Sequence, residues 1–212
     1  RPLSQLLSVE IAMNDLLCVF FRAPELGRCK TRLIAQLGAQ GALDAHIELL
    51  ESQLLRGFAA KLSMRLWTTA QTPYVTALES RFGCASSVQA GADLGQRMDA
   101  ALATEFAQGA EKVCLIGSDC PAIDGAYLDA GFAALNEVDV VIGPTEDGGY
   151  GLIGMKESCS EIFAAIPWGT AEVTEATIAR LKAQRLSFRL LPLTWDVDTP
   201  QDWRRYEAMR LR

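Results

Sequence analysis

The sequence predicts an α/β protein in which one mostly parallel β-sheet is covered by helices on both faces. Six apolar, β-branched or aromatic runs have the length of buried strands, and the segments between them have helical periodicity. The chain has 212 residues, half of them hydrophobic, which is enough for one sizeable core. Because neighbouring parallel strands need connections of helix length, this alternation favours a three-layer sandwich formed by a single domain.

The predicted strands cover residues 16–21, 63–68, 84–89, 112–117, 138–143 and 188–193. The longest helical pattern lies between residues 40 and 60. Its apolar residues recur every three or four positions and so share one helix face: Leu43, Ile47, Leu50, Leu54 and Phe58. Residues 13–212 are expected to form the domain, and residues 1–12 an N-terminal extension or arm.

Charge and composition argue against several classes of protein. The net charge of −6 disfavours nucleic-acid binding, which usually needs a basic surface. The sequence has neither an apolar run of about 20 residues that could span a membrane nor the pattern of a signal peptide, so we expect a cytoplasmic protein. The six cysteines include no C-x-x-C pair, and the single histidine, His46, is expected to be a surface or packing residue rather than a zinc ligand.

The loop after the first predicted strand is rich in cations. Four basic residues and one acid lie between residues 22 and 32 of an otherwise acidic chain, and a helix is expected to start near Thr31. Backbone N–H groups at that helix start would reinforce the cations around a phosphate. The loop residues predicted to bind phosphate or nucleotide are Arg22, Ala23, Pro24, Lys30, Thr31 and Arg32. A solvated basic loop is the alternative, and a Walker A motif is excluded because Cys29 stands where that motif requires glycine.

Two other strand ends are expected to face the same ligand, since ligands of parallel sheets bind beyond the carboxyl ends of the strands. Gln89 and Arg97 belong to a strand-to-helix loop that would close over the nucleotide. The alternative is an ordinary connection in which Asp93 caps the helix. Ser118, directly after the strand of residues 112–117, completes the predicted nucleotide site.

Two acidic turns predict a site for Mg²⁺ or Mn²⁺. Asp119 follows a buried strand, where a single carboxylate can hold a divalent cation that bridges to phosphate oxygens. Asp198 follows the last predicted strand and is preferred to Asp196 as the second ligand. The alternatives are structural: Asp119 as a helix cap or turn residue, and Asp198 or Thr199 as the cap of a terminal helix.

The segment from residue 144 to residue 154 predicts an acceptor or sugar site on a turn between two strands. Asp147-Gly148 is typical of a hairpin, and the glycines would allow a substrate close to the backbone. The residues predicted to contact the acceptor or sugar are Glu146, Asp147, Gly148, Gly149 and Tyr150. The G-x-G-x-x-G pattern that begins at Gly149 does not indicate a dinucleotide site, because no helical pattern starts there.

Five blocks in this order resemble a bacterial family of candidate glycosyltransferases associated with radical-SAM, selenodomain and arsenosugar gene neighbourhoods. The blocks extend over about residues 15–206 and read F-x-R-A-P-E-L-G-R-C-K-T-R-L, Q-A-G-A-D-L-G-Q-R-M, L-I-G-S-D-C-P, G-P-T-E-D-G-G-Y-G-L-I-G and D-V-D-T-P-Q-D-W. That family is similar to the nucleotide-diphospho-sugar transferases of the glycosyltransferase-A fold, and more distantly to 2-phospholactate and molybdenum-cofactor guanylyltransferases. The resemblance implies a mixed sheet with a nucleotide-binding N-terminal half and an acceptor-binding C-terminal half.

The same resemblance implies roles for particular residues. The family's Lys-Thr-Arg block falls on residues 30–32, and its Ser-Asp-Cys-Pro turn, which looks like the metal-binding position of the wider fold, falls on residues 118–121. This chain has Arg22 where lysine is expected and Gly151 where an aromatic residue is usual.

Three functions follow as hypotheses. In glycosyl transfer, the preferred one, Lys30 and the metal hold the diphosphate of a nucleoside-diphosphate sugar while Asp147 positions or deprotonates a small-molecule acceptor. In nucleotidyl transfer, a phosphate-bearing acceptor attacks a nucleoside triphosphate and pyrophosphate leaves. The single glycine of the cation-rich loop, Gly27, weighs against this second reaction. The third hypothesis is a nucleotide-binding protein without turnover.

Overall fold

The computed structural model describes residues 15–211, which contain a seven-stranded sheet. Its strands are Asp15–Phe21 (β1), Ser63–Thr68 (β2), Ala85–Val88 (β3), Lys112–Gly117 (β4), Val140–Pro144 (β5), Tyr150–Met155 (β6) and Phe188–Leu190 (β7). The order across the sheet is β3-β2-β1-β4-β6-β5-β7, and β6 runs antiparallel to its neighbours β4 and β5 while the other pairs are parallel. The predicted α/β fold with a mostly parallel mixed sheet is confirmed. The predicted extension of residues 1–12 lies outside the described residues.

The helices connect these strands and cover both faces of the sheet. They are Ile34–Ala59 (α1, interrupted at Gly38), Pro73–Phe82 (α2), Leu94–Ala107 (α3), Gly125–Ala134 (α4), Val173–Ala183 (α5) and Pro200–Arg210 (α6), with single 3₁₀ turns at Thr31–Leu33 and Ser160–Phe163. Within residues 15–211, none of the helices combines the length and the apolar character that a membrane crossing requires.

Strand β1 shows how the layers form, because its side chains alternate between the two faces. Leu17 and Val19 face α1, α2 and α4, whereas Cys18 and Phe20 face α3 and α5. A third cluster lies outside α1, where Trp203 and Tyr206 of α6 pack against Ala42, Ala45 and Leu49. The sheet is therefore buried on both faces, as parallel strands usually are.

The helix face predicted for residues 40–60 is wrong in part. Leu50 and Leu54 are buried, but Phe58 is 57% exposed. The buried surface of α1 also includes Ala42, Ala45 and Leu49, which contact α6. Because α1 packs between the sheet and a second helix, it buries a wider surface than one local periodic stripe indicates.

The pattern at Gly149 leads into strand β6, and, as expected, no helix begins there. The last predicted strand is shorter than expected and ends at Leu190. Pro192 offers no backbone N–H for further pairing, and the chain pairs again only through the bridge between Thr145 and Thr194.

Candidate active site

The carboxyl ends of β1, β2, β4 and β5 and the amino end of β6 meet at one rim of the sheet, where a cavity of about 780 Å³ opens. Twelve residues of the predicted site line it: Arg22, Lys30, Thr31, Arg32, Gln89, Arg97, Ser118, Asp119, Asp147, Gly149, Tyr150 and Asp198. Four others in the described chain stand outside this lining: Ala23, Pro24, Glu146 and Gly148. The structure therefore brings most of the predicted residues together from segments far apart in sequence.

Lys30, which belongs to the cation-rich loop, lines this cavity with a buried side chain. Its backbone is left-handed (φ 47°, ψ 45°), which is uncommon for a residue with a side chain, and the 3₁₀ turn begins directly after it at Thr31. The side chain is only 6% exposed. Its Nζ donates to the Asp119 carboxylate at 2.7 Å and to the Val197 carbonyl at 2.5 Å. Lys30 thus joins the loop, the end of β4 and the C-terminal tail.

Asp119 does not cap a helix, because α4 is capped by Asp124, whose side chain accepts from the Tyr127 N–H. Instead Asp119 pairs with Lys30 and accepts a hydrogen bond from the Ser118 hydroxyl at 2.9 Å. Burial alone would raise the pKa of Asp119, but the charge and hydrogen bond of Lys30 outweigh it and lower the pKa. Asp119 is therefore a carboxylate at neutral pH.

The tail supplies two more carboxylates. Asp198 forms an ion pair with Arg32, and α6 is capped by Thr199 in a capping box with Asp202, so Asp198 is not the cap. Asp196, which the sequence favours less than Asp198 as a metal ligand, also lines the cavity. Burial first, and then the nearby Asp147 carboxylate, raise the pKa of Asp196 to about 6. The intervening Val197 is fully buried, whereas Asp196 and Asp198 both line the cavity.

The acidic side chains are suited to a divalent metal ion that is bound jointly by the protein and by the phosphates of a substrate. In the described part of the chain, no three Asp, Glu, His or Cys side chains are arranged as a preformed metal site. Nevertheless Asp119, Asp147, Asp196 and Asp198 all line one cavity. Mg²⁺ is commonly held by one or two carboxylates together with substrate phosphates and water, and this donor set suits that mode of binding.

Gln89 and Arg97 line the cavity, but the Gln89 amide nitrogen and Arg97 Nε both donate to backbone carbonyls. Gln89 Nε2 donates to the Phe21 carbonyl at 3.2 Å and the Trp67 carbonyl at 2.9 Å, and Arg97 Nε donates to the Gly91 carbonyl at 3.1 Å. The cap expected in the alternative interpretation is present, because the Asp93 side chain caps α3; the nucleotide role of this loop stays a prediction. The Gln89 amide orientation is fixed by the two carbonyls, which can only accept.

The predicted acceptor residues divide into two groups. Asp147 lines the cavity, and its Oδ1 accepts from the Thr145 hydroxyl at 2.5 Å and the Gly149 N–H at 3.0 Å. The structure does not support the prediction for Glu146, whose carboxylate lies outside the cavity in a bidentate pair with Arg205 at 2.7 and 3.0 Å.

Gly148 and Tyr150 are placed differently from the expectation. Gly148 has φ 89°, and a Cβ there would lie 2.1 Å from the Ala171 carbonyl oxygen, so its absence of a side chain serves chain packing rather than substrate approach. The Tyr150 hydroxyl is buried and faces away from the cavity surface, towards Thr177. The ring of Tyr150, and not its hydroxyl, is therefore available to a ligand.

Sequence reasoning gave no role to His46 or Trp168, which also line the cavity. His46 is 4% exposed, and its Nε2 lies 2.8 Å from the Arg22 carbonyl oxygen. Because that oxygen only accepts, Nε2 carries the proton, and burial lowers the pKa of the ring. His46 thus supports the cation-rich loop as a neutral residue. No local pattern indicated either residue, since both reach the site through tertiary packing.

Comparison with protein families extends these observations. The sequence profile of DUF2064, a family of uncharacterized proteins conserved in bacteria, matches residues 56–170, which is more than half of the chain. The chain belongs to the DUF2064 family. No curated protein sequence matches it.

Several solved structures are similar to this DUF2064 chain. A candidate nucleotide-diphospho-sugar transferase from Desulfovibrio desulfuricans G20 has a TM-score of 0.81 and 29% identity, with 88% of this chain and 83% of that one covered. CMP:2-keto-3-deoxy-manno-octonic acid synthetase in complex with CTP has a TM-score of 0.60 and 11% identity, with 93% and 98% covered. Rv0371c of Mycobacterium tuberculosis H37Rv in complex with manganese has a TM-score of 0.51 and 17% identity, with 91% and 97% covered. These similarities confirm the predicted fold; the predicted gene neighbourhood stays a prediction.

Proposed function

We propose that this chain is a metal-dependent transferase acting on a nucleotide-activated substrate, and specifically a glycosyltransferase that moves a sugar from a nucleoside-diphosphate sugar to a small-molecule acceptor. One observation carries the proposal: the cations of the first loop and the carboxylates of mid-chain and tail meet in one cavity, with Lys30 2.7 Å from Asp119 and Arg32 paired with Asp198. The similarity to the Desulfovibrio protein and to a CTP-bound synthetase supports a nucleotide ligand.

The cations provide the phosphate chemistry. Five of them line the cavity: Arg22, Arg28, Lys30, Arg32 and Arg97. Lys30 and Arg32 would exchange their carboxylate partners for phosphate oxygens and stabilise the negative charge of the departing nucleoside diphosphate. Mg²⁺ or Mn²⁺ held by Asp119 and Asp198 would supply further neutralisation of that charge.

Asp147 is the proposed general base. Its Oδ1 is held by Thr145 and Gly149, which leaves Oδ2 available to take the proton of an acceptor hydroxyl. The acceptor oxygen then forms a bond to the anomeric carbon as the bond from that carbon to the diphosphate breaks. The leaving group departs with the electron pair and remains beside Lys30 and Arg32.

Nucleotidyl transfer is the second candidate, favoured by the number of cations, which also suits a triphosphate. In that reaction an acceptor phosphate attacks the α-phosphate of a nucleoside triphosphate. The two reactions differ in product, because glycosyl transfer releases a nucleoside diphosphate and nucleotidyl transfer releases pyrophosphate. Product analysis with nucleotide sugars and with triphosphates therefore decides between them.

The proposal is tested with Asp119→Asn and, as a control, Asp129→Asn, which changes an exposed carboxylate on α4. Nucleotide sugars, nucleoside diphosphates and nucleoside triphosphates are screened by thermal unfolding with and without Mn²⁺. A ligand at about 100 times its Kd stabilises the fold by about 2.7 kcal/mol. We expect the Mn²⁺-dependent part of this stabilisation to disappear in Asp119→Asn and to persist in Asp129→Asn.

If Asp119→Asn and the wild-type protein bind nucleotide with equal affinity in the presence of Mn²⁺, Asp119 is not a ligand of the metal. Binding without release of either product would support the third hypothesis, a protein without turnover.

A further inference from the structure

The cavity has an apolar flank that the phosphate and metal chemistry does not use. Leu94, Tyr150 and Trp168 line it, and Leu94 at the start of α3 is 46% exposed although it is a large apolar residue. Buried members of one core cluster lie behind this flank: Met98, Leu115 and Ile153. The flank is thus continuous with the core and accessible from the cavity.

Trp168 is held in a defined position on this flank. Its ring is perpendicular to that of Tyr150, with an interplanar angle of 79° and 6.1 Å between centroids. On another side its indole reaches Gly95 of α3, where an added Cβ would lie 2.8 Å from Nε1 and Cζ2. Only glycine at residue 95 leaves room for the indole, so α3 and β6 together fix the aromatic surface.

The flank lies beside the proposed base. Asp147 accepts from the N–H of Gly149, the residue before Tyr150, and it lines the same cavity as Asp119 and Asp196. Asp147 therefore lies close in the chain to the aromatic surface and shares one cavity with the other carboxylates. Because the Tyr150 hydroxyl is buried, Tyr150 presents ring carbons to the cavity rather than its hydroxyl group.

We propose that this flank binds the acceptor through a flat apolar or aromatic face, with the acceptor hydroxyl directed to Asp147; the proposal rests on the transferase function proposed above. Aromatic side chains bind flat apolar groups through large contact areas, and stacked or edge contacts contribute beyond the area buried. A fully hydroxylated acceptor would leave its polar groups against Leu94 and the two rings without partners, which is unfavourable. The acceptor class is accordingly an alcohol or phenol attached to an apolar body.

The test uses two probes, benzyl alcohol and glycerol, observed by saturation-transfer difference NMR in the presence of Mg²⁺ and the nucleoside diphosphate that stabilises the protein most. Trp168→Ala removes the surface, and Gly95→Ala displaces the indole. Gly125→Ala is the matched control, because it also adds a methyl group near a helix start but meets only Ala60 Cβ at 4.0 Å. Phe58→Ser controls for a second apolar groove, between Phe58 and Phe82 at the opposite rim.

We expect wild type, Gly125→Ala and Phe58→Ser to bind benzyl alcohol in preference to glycerol. In Trp168→Ala and Gly95→Ala, benzyl alcohol affinity should fall about two- to tenfold, the loss typical of an aromatic contact, and Trp168→Phe should recover part of it. Nucleoside diphosphate affinity should stay the same in every variant.

Unchanged benzyl alcohol binding in folded Trp168→Ala would overturn the proposal. A comparable loss of nucleotide affinity in that variant would also overturn it, because the flank would then contact the nucleotide base. Failure of the proposed function is a separate result: no nucleoside diphosphate would then stabilise the wild-type protein, whereas the probe comparison can still be made with Mg²⁺ alone.

Discussion

Lys30 is the residue at which the separate parts of the site meet. Its left-handed backbone conformation costs about 1–2 kcal/mol for a residue with a side chain. The contacts of its ammonium group with Asp119 and with the Val197 carbonyl offset that cost. The Lys30 ammonium group therefore pairs with Asp119, which is the proposed metal ligand. Lys30 and the metal ion compete for this carboxylate.

This competition predicts that Lys30→Met has opposite effects on the affinity for Mn²⁺ and on the affinity for a nucleoside diphosphate. Without the ammonium group, Mn²⁺ should bind Asp119 more tightly in the absence of nucleotide. Since Asp119 is partly exposed, the gain should be no more than about 1 kcal/mol, or about fivefold. Nucleoside diphosphate affinity should fall because a phosphate contact is lost. Isothermal titration calorimetry with each ligand alone measures both effects.

Arg28→Met is the control for this variant, because Arg28 also lines the cavity but pairs with Glu25 rather than with Asp119. It should leave Mn²⁺ affinity unchanged. If Lys30→Met also leaves Mn²⁺ affinity unchanged, Asp119 does not receive the metal in competition with Lys30.

At the scale of elements, Gln89 joins three strands. It follows β3 directly, and its amide nitrogen donates to the carbonyls of Phe21 at the end of β1 and Trp67 in β2. Gln89→Glu would replace that donor by a carboxylate facing two carbonyl oxygens. We expect a loss of about 1–3 kcal/mol in the free energy of unfolding, measured with urea.

The matched control is Gln96→Glu. Gln96 uses its side-chain oxygen to accept from the Ala92 N–H, so a carboxylate retains the contact. Its stability should remain close to that of wild type. A similar loss in both variants would mean that added negative charge, rather than the Gln89 contact, is responsible.

The edge strand β7 is joined to β5 by a carboxylate, which predicts a dependence on pH. Asp139 accepts from the Ser187 hydroxyl at 2.5 Å and from the Ser187 N–H at 2.8 Å, and these bonds lower the pKa of Asp139. A lowered folded pKa means that the stabilisation is complete above the unfolded pKa of about 4 and is lost as the pH falls through the folded pKa.

Asp139→Asn should therefore be less stable than wild type at pH 7, by up to about 1 kcal/mol because Asp139 is substantially exposed. The difference should decrease as the pH falls below about 4. Urea unfolding at a series of pH values measures it. A difference that does not change with pH would show that the Asp139 charge contributes nothing.

The accuracy with which the sequence predicted each strand or helix depended on which parts of the chain pack against it. Strands β1 and β4 were predicted to within one residue because they are mostly buried and form nearly continuous apolar runs. Strand β2 was predicted with the same bounds, although only residues 66–68 of it are buried. The buried surface of α1 was predicted only in part, because α6 covers it from the other end of the chain. When a helix packs against a segment that is distant in sequence, the helix's own apolar periodicity does not reveal that contact.

The same distinction applies to the site. Lys30, Asp119 and Asp147 were predictable because each follows a strand, and strand ends converge at one rim. His46 and Trp168 come from a helix and from a turn, and only the folded chain brings them to the cavity. Their chemistry could be recognised only after their neighbours were known.

At the scale of the whole molecule, the residues that line the candidate site come from nearly the full length of the described chain. The family match covers residues 56–170, whereas Lys30 and Asp198 lie outside it and Asp119 and Asp147 inside. Strand β1 also lies outside, although it pairs with both β2 and β4 in the middle of the sheet. The matched segment is therefore not a structural unit.

A protein consisting of residues 56–170 should fail to fold cooperatively. It would lack the central strand and most of α1, and it would leave the apolar faces of β2 and β4 without partners. Circular dichroism during thermal unfolding and the dispersion of amide NMR signals measure this. The control is residues 13–212, the predicted domain, which should unfold cooperatively. A cooperative transition in the 56–170 fragment would contradict the prediction.

The turn between β5 and β6 is fastened to its surroundings before any substrate arrives. Because β6 enters the sheet at this rim, the turn has a strand on each side, and the Thr174 N–H also donates to the Gly148 carbonyl. Asp147 thus stands on a segment that has little conformational freedom left to lose on binding. We therefore expect this turn to keep its conformation when an acceptor binds.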